Sequence, residues 1–296
     1  MSDPKVVNHK PRIRSVIRCV DKGQSKKLNT QPRSPTPLVQ LVNLCKGFDG
    51  KTVISDFNLT INHGEFLTLL GPSGCGKTTL LHLCAGLLEV QEGRITQPFA
   101  PTAVMFQQPR LLPWMAVLDN IALALKAQGV DKRQRHAQAR QMALALGLPE
   151  LSLAQYPAEL SGGMQSRVAL ARALVLAPKL LLMDEPFSAL DVGLRYQLHQ
   201  LLLEQQAASG MAVLLITHDL MEAVRLADDV LVMAPGPGRI VAHYQPAGAA
   251  LARTDDLVYR CAAELQQHPL VRAAFELPGV GQAADGALGR WQEVRG

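Results

Sequence analysis

At 296 residues, 48% of them hydrophobic and 19% charged, the chain has room for one large core or two modest ones, and no apolar run approaches the roughly 18 residues that a membrane helix needs. Its formal charge of +5 is uneven: residues 1–36 hold nine Lys/Arg against Asp3 and Asp21 (+7), while the rest holds 21 basic against 23 acidic residues (−2), so the globular part gives no reason to expect a nucleic-acid groove. Cys19, Cys45, Cys75, Cys84 and Cys261 are odd in number and form no C-x-x-C pair, which argues against a disulfide framework or a zinc site and for a reducing compartment; no secretory signal pattern opens the sequence, so secretion is not expected.

Residues 1–36 have the composition of a disordered tail. Within them, Pro11 is placed to start a helix with Ile13, Val16, Ile17 and Val20 on one face and Arg12, Arg14 and Arg18 elsewhere, a pattern that suits either an anionic membrane surface or a solvated tail. From residue 37 apolar segments alternate. Leu38–Leu44 and Phe57–Ile61 predict strands flanking a turn at Phe48-Asp49-Gly50-Lys51, with Phe48 serving as packing or as a platform for a flat ring. Glu65–Leu70 predicts a short buried strand, and Thr79–Leu87 has apolar positions at helical spacing.

Between these two lies Gly71-Pro72-Ser73-Gly74-Cys75-Gly76-Lys77-Thr78, which fits the phosphate-loop pattern G-x-x-x-x-G-K-[ST] at every position. Its glycines let successive backbone N–H groups turn onto phosphate oxygens, Lys77 adds a point charge, and Thr78 supplies a hydroxyl for Mg²⁺. The following helix would aim its N-terminal N–H groups at the same phosphates. Cys75 at that N-terminus is expected to have a lowered thiol pKa, so that alkylation blocks the nucleotide and the nucleotide protects.

Further on, Ala103–Phe106 predicts a strand ending in Gln107, whose amide suits a metal ion, a water or a plain surface loop. Leu111, Leu112 and Trp114, set among prolines, suggest a docking surface. The stretches from Asp119 and from Asp131 to Leu148 have helical composition, which predicts a mostly helical subdomain over residues 109–176. At Ser161-Gly162-Gly163 a helix begins that Ser161 can cap, making a second anion site. Lys179–Met183 predicts a buried strand ending in Asp184-Glu185, a Mg²⁺-orienting carboxylate followed by a second acid. The turn Ser188–Asp191 leads into a helix over Leu194–Gln206, and the strand Met211–Thr217 ends in His218, which suits a phosphate oxygen or a water. Val230–Met233 is the last expected strand. Residues 249–296 offer one helix, Asp255–Gln267, and are too short for an independent domain beside the main one at 37–248.

Phe48, the phosphate loop, Gln107, Leu160-Ser161-Gly162-Gly163, Asp184-Glu185-Pro186, Ser188–Asp191 and His218 occur in an order that resembles the ATP-binding-cassette (ABC) transporter ATPase subunits, over about Leu38 to Tyr244. The resemblance implies an α/β fold: a P-loop NTPase core with a mixed sheet, an antiparallel β subdomain and an inserted α-helical subdomain. It also implies ATP and Mg²⁺ as cofactors, and a head-to-tail pair of copies closing on two nucleotides. Phe48 would stack on adenine, and residues Gly71 to Thr78 with Thr79 would hold the phosphates. Thr78, Gln107 and Asp184 would serve Mg²⁺. From the partner copy, Ser161, Gly162 and Gly163 would reach the γ-phosphate. Glu185 would polarise the attacking water, with Lys77, Gln107 and His218 around the γ-phosphate, and Asp191 would link the two sites. Many members have Gln after Ser-Gly-Gly; here Met164 stands there and Gln165 follows, a variation frequent in importer subunits.

A single cassette without a membrane span resembles the separate energising subunit of an importer, on the cytoplasmic face of the membrane beneath permease subunits and, indirectly, an external solute-binding protein. Phe106 to Trp114 is most similar to the nitrate, sulfonate and taurine branch. An exporter subunit, or a non-transport ATPase acting on nucleic acid or ribosomes, is the alternative.

Overall fold

The structure, a computed structural model, describes residues 37–97, 101–278 and 292–293. The basic tail, with the helix expected to start at Pro11, and Cys19 lie outside these residues.

β1 (Pro37–Phe48) and β2 (Lys51–Asn62) form the expected antiparallel hairpin about Asp49-Gly50, both at positive φ, as a two-residue turn between twisted strands requires. The alternation in β2 turns Ile54, Phe57, Leu59 and Ile61 into the core. β3 (Phe66–Leu70) is buried along its whole length and leads through the phosphate loop into α1 (Lys77–Cys84). This helix stops short of Leu87: Leu87 N–H donates to the His82 carbonyl and Gly86 N–H to that of Leu83, the paired bonds that close a helix with a left-handed residue, and Leu87 is left exposed. β4 (Glu92–Thr96), which the sequence pattern did not announce, pairs with β1, giving a three-stranded antiparallel layer in the order β2-β1-β4.

β5 (Thr102–Met105) is followed by the helical subdomain. This comprises α2 (Val117–Ala127), α3 (Lys132–Ala145) capped by Asp131, two short 3₁₀ turns at Glu150–Ala154 and Pro157–Glu159, and α4 (Gly162–Leu174) capped by Ser161. β6 (Leu180–Asp184), α5 (Val192–Ser209), β7 (Ala212–Thr217), α6 (Leu220–Leu226), β8 (Asp229–Ala234) and β9 (Arg239–Tyr244) complete the core. α5 is longer than expected at both ends because Asp191 caps its start and Gly210, at φ 64°, its finish. With β10 (Gln292–Glu293), the main sheet runs β10-β9-β8-β3-β7-β6-β5, parallel from β8 to β5 and antiparallel at β9 and β10, so it is the expected mixed sheet. Helices cover it, which is why β3, β6 and β7 are nearly continuous apolar runs.

The segment after residue 249 contains α7 (Asp255–Gln267) as expected and also α8 (Pro269–Ala274). Val258, Cys261, Ala262, Leu265, Val271 and Ala274 are buried in the same apolar cluster as β7, β8 and α6. Arg253 anchors this segment: its buried guanidinium donates to the carbonyls of Val224 (2.6 Å), Ala227 (2.7 Å) and Gly248 (2.9 Å), satisfying the end of α6.

Glu65, at the entrance to β3, is 8% exposed and accepts from the backbone and side-chain N–H groups of Asn62 at 2.7 and 2.9 Å. Burial, abetted by Asp229 and Asp228 and opposed by the Asn62 bonds, pushes its carboxyl up to about 7. The fold thus favours the protonated form, so this group's contribution is complete below the unfolded carboxyl value and is lost as pH rises through about 7. Thermal melts of Glu65→Gln and the parent are expected to show the variant gaining up to about 3 kcal/mol relative to the parent between pH 4.5 and pH 8. A gap that does not move with pH contradicts the assignment.

Candidate functional site

The parallel strands β3, β5, β6 and β7 end side by side, and the residues that follow each of them build one cleft edge, the place where parallel sheets hold ligands. After β3 the loop turns through Gly76 at φ 98°, where a side chain would be strained and would press on Val53 and Ile54. Lys77, 5% exposed, folds back so that Nζ donates to the Gly71 and Pro72 carbonyls, both at 2.8 Å, which places the cation inside the loop. Thr78 Oγ1 donates to Asp184 Oδ1 at 3.2 Å, tying the start of α1 to the end of β6. Burial raises the Asp184 carboxyl, the Thr78 bond opposes this, and Glu185 adds to it.

Glu185 follows at φ 44°, a left-handed conformation unusual for a residue with a side chain. Three contacts fix it there. Its N–H donates to the Ile216 carbonyl at 2.9 Å, its carbonyl accepts from Ser188 Oγ at 3.0 Å, and its Oε2 lies 3.1 Å from His218 Nδ1. Pairing of Asp184 with Ile216 across β6 and β7 explains why Glu185 and His218, 33 positions apart, face each other. Gln107 joins through Nε2, which donates to Ser188 Oγ at 3.4 Å. Lys77, Thr78, Asp184, Glu185, Gln107 and His218 are therefore linked in space as well as in motif order.

Ser161, Gly162, Gly163, Asp191 and Phe48 take no part in these contacts. Ser161 caps α4 by accepting from Met164 N–H at 3.3 Å and is exposed with Gly162. A Cβ on Gly163 would meet the Leu194 side chain of α5, which would have to swing aside to admit it. Asp191 accepts from Leu194 N–H at 2.9 Å, capping α5. The Phe48 ring is exposed, with Lys46 Nζ 5.3 Å from its centre. Gln165 donates to the Pro157 and Leu160 carbonyls at 3.0 and 3.4 Å, bracing the approach to Ser161, while Met164 packs against the core.

The expectation for Cys75 is overturned. It is 1% exposed, and burial pushes its thiol pKa up despite the neighbouring Lys77, so desolvation outweighs the helix N-terminus.

The segment after Gln107 is held by residues that the sequence reading passed over. Buried Asn120 accepts from Leu112 N–H at 2.8 Å and donates to the Met115 carbonyl at 2.8 Å. From α4, Arg172 donates to the carbonyls of Pro109 at 2.6 Å and Arg110 at 2.9 Å. Leu111 and Leu112 are half-buried on this frame, and Trp114 is 72% exposed. Nothing in local periodicity marks Asn120, which folds back on the turn just before its own helix, or Arg172, whose partners lie about sixty residues away.

The ABC transporter family model matches residues 54–188, from β2 to Ser188. The taurine import ATP-binding protein TauB of Escherichia coli O157:H7 is 47% identical over 211 residues, covering 69% of this chain and 82% of that protein. The chain belongs to the ABC transporter ATPase family. TauB of Escherichia coli K12 is 46% identical with the same coverage. Among solved structures, the ATP-binding cassette MJ0796 in a dimeric post-hydrolysis state with ADP and Pi superposes with a TM-score of 0.65 at 28% identity, covering 71% of this chain and all of that one. CbiO1 from Clostridium perfringens, part of the transporter complex cbiONQ, gives 0.63 at 26% identity over 70% of this chain and 88% of its own. The fold is therefore the P-loop NTPase fold of the ABC cassettes, and this cassette is an ATP-binding, transport-coupled ATPase.

Proposed function

We propose that this chain is the energising subunit of an importer for taurine or a related sulfonate, or nitrate, working as a head-to-tail pair beneath permease subunits on the cytoplasmic face of the membrane. The observation that carries the importer reading is the 47% identity to a taurine import ATP-binding protein across 82% of its length. The working unit is residues 37–248, with its helical subdomain at 109–176, and the buried side chains of α7 and α8 complete its core.

In this reading Phe48 stacks on the adenine, and the loop Gly71 to Thr78 with Thr79 holds the phosphates, Lys77 exchanging its carbonyl partners for phosphate oxygens. The Thr78 hydroxyl and the Asp184 carboxylate are hard oxygen donors already 3.2 Å apart, a set that suits Mg²⁺, with Gln107 alongside. Among the described residues no group of three or more His, Cys, Asp or Glu could hold a metal, which fits an ion that takes its other ligands from phosphate and water. Bound there, Mg²⁺ would offset charge on the phosphates. Glu185 accepts a hydrogen bond from the attacking water and orients it in line with the γ-phosphate; His218, 3.1 Å away, fixes that carboxylate. Ser161, Gly162 and Gly163 of a second copy complete the γ-phosphate shell at the start of α4, and Asp191 connects the two sites.

No helix among the described residues is long and apolar enough to cross a membrane, so work on a solute needs other subunits. Trp114, on the segment tied to Gln107, is where a permease helix would dock. Purification of the tagged chain from detergent-solubilised membranes is expected to bring down integral membrane subunits, and the reconstituted complex should hydrolyse ATP faster with a taurine-loaded binding protein. Recovery without any membrane protein, with ATPase activity raised instead by DNA or ribosomes, would overturn the importer reading.

A further inference from the structure

Arg195, near the start of α5, spans two chain segments that border the reaction site. Its Nη1 donates to Asp219 Oδ2 at 2.9 Å, and its Nη2 donates to the carbonyl of Leu190 at 3.1 Å, within the Ser188–Asp191 turn. The other oxygen of Asp219, Oδ1, caps α6 by accepting from Met221 and Glu222 N–H at 2.8 and 3.2 Å. Asp219 N–H donates to Thr217 Oγ1 at 3.0 Å, so both sides of His218 are pinned. His218 meets Glu185, and the Glu185 carbonyl accepts from Ser188. These contacts close a ring through Glu185, Ser188, Leu190, Arg195, Asp219 and His218.

The two bonds from Arg195 join the Asp191 turn to the His218 corner on one side of this ring, and Ser188–Glu185–His218 joins them on the other. Neighbouring Glu222 meets His199 Nε2 at 3.1 Å. Arg195 Nε is buried without a partner among the described residues. Arg195 lines the cleft with Glu185, Ser188, Thr217 and His218.

We propose that Arg195 is a positioning residue for hydrolysis: it makes the Asp191 turn and the His218 corner one mechanical unit, so that engagement of Asp191 by a second copy sets the orientation of His218 and Glu185. The proposal rests on the roles given above to Glu185 and His218. Planarity is essential to it, since a lysine ammonium at this position is a point charge that cannot reproduce the fork between a carboxylate and a carbonyl.

The test is a double-mutant cycle on the full-length protein, read as steady-state ATPase and as affinity for a fluorescent ATP analogue. Arg195→Ala is expected to lower kcat at least tenfold while the nucleotide Kd stays within threefold, and Arg195→Lys to recover only part of the loss. Combined with His218→Ala, Arg195→Ala should cost less than a further twofold, because its effect passes through His218. Should Arg195→Ala fail to fold, Asp219→Asn goes through the same cycle, since it keeps the Oδ1 cap on α6 and removes the charged partner of Nη1. Equal losses in both backgrounds, or an unchanged kcat, would overturn the proposal; a His218→Ala protein with full activity would instead overturn the site assignment beneath it.

Discussion

Glu185→Gln is expected to bind ATP like the parent, to turn over at least 100-fold more slowly, and to accumulate as a dimer when ATP is present. The substitution keeps size and most hydrogen-bonding capacity, so the backbone at φ 44° and the bonds to Ile216 and Ser188 have no reason to change. What it removes is the anionic oxygen 3.1 Å from His218, the group assigned to accept from the attacking water. Loss of a positioned general base costs roughly 10² to 10⁴ in rate. Lys77, Thr78 and Asp184 remain in place, so nucleotide affinity survives. A pair that closes on ATP and cannot cleave it stays closed. Steady-state hydrolysis with size-exclusion chromatography in ATP and in ADP checks both halves of this expectation, and a variant that hydrolyses at the parent rate removes Glu185 from the chemistry.

Ser161→Arg is expected to have a comparable effect on turnover by a different route. Ser161 is exposed and accepts from Met164 N–H, so replacing it forfeits one helix cap, worth about 1 kcal/mol, and leaves the fold standing. Within one copy it makes no contact with the Lys77 loop, and nucleotide binding by the monomer should stay within about threefold of the parent. In the pair, a long cationic side chain would occupy the helix start that must approach the γ-phosphate. Hydrolysis should then fall at least 100-fold, with no dimer in ATP; unaltered ATPase activity would refute a shared site.

What could be read from the sequence follows a physical divide. The phosphate loop, Asp184-Glu185 and His218 were legible because their chemistry is local and each follows a strand buried on both faces, whose apolar run marks itself. β4 was not, because Glu-Gly-Arg-Ile-Thr is an edge strand with one half-buried apolar residue. β9 was missed because its exposure is mixed, and α8 because six residues carry too little periodicity. Cys75 was misjudged for a related reason: its helix position is visible in sequence, but the burial that dominates it comes from elsewhere in the fold. The bonds of Arg195 to Asp219 and of Arg172 to Pro109 were invisible because only folding brings these groups near, and that of Asn120 to Leu112 because it depends on how the intervening turn folds back.

The central claim is that Lys77 of one copy and Ser161 of another serve the same ATP. Two inactive variants test it when mixed, each carrying Glu185→Gln to hold the closed state and a different affinity tag: Lys77→Ala in one, Ser161→Arg in the other. Head-to-tail pairing predicts that neither associates with itself in ATP and Mg²⁺, whereas the mixture forms a dimer that pulls down both tags with one nucleotide, because the Lys77 of one and the Ser161 of the other are intact at one of the two sites. No association in the mixture, or self-association of either variant at the level of Glu185→Gln alone, would contradict the shared site.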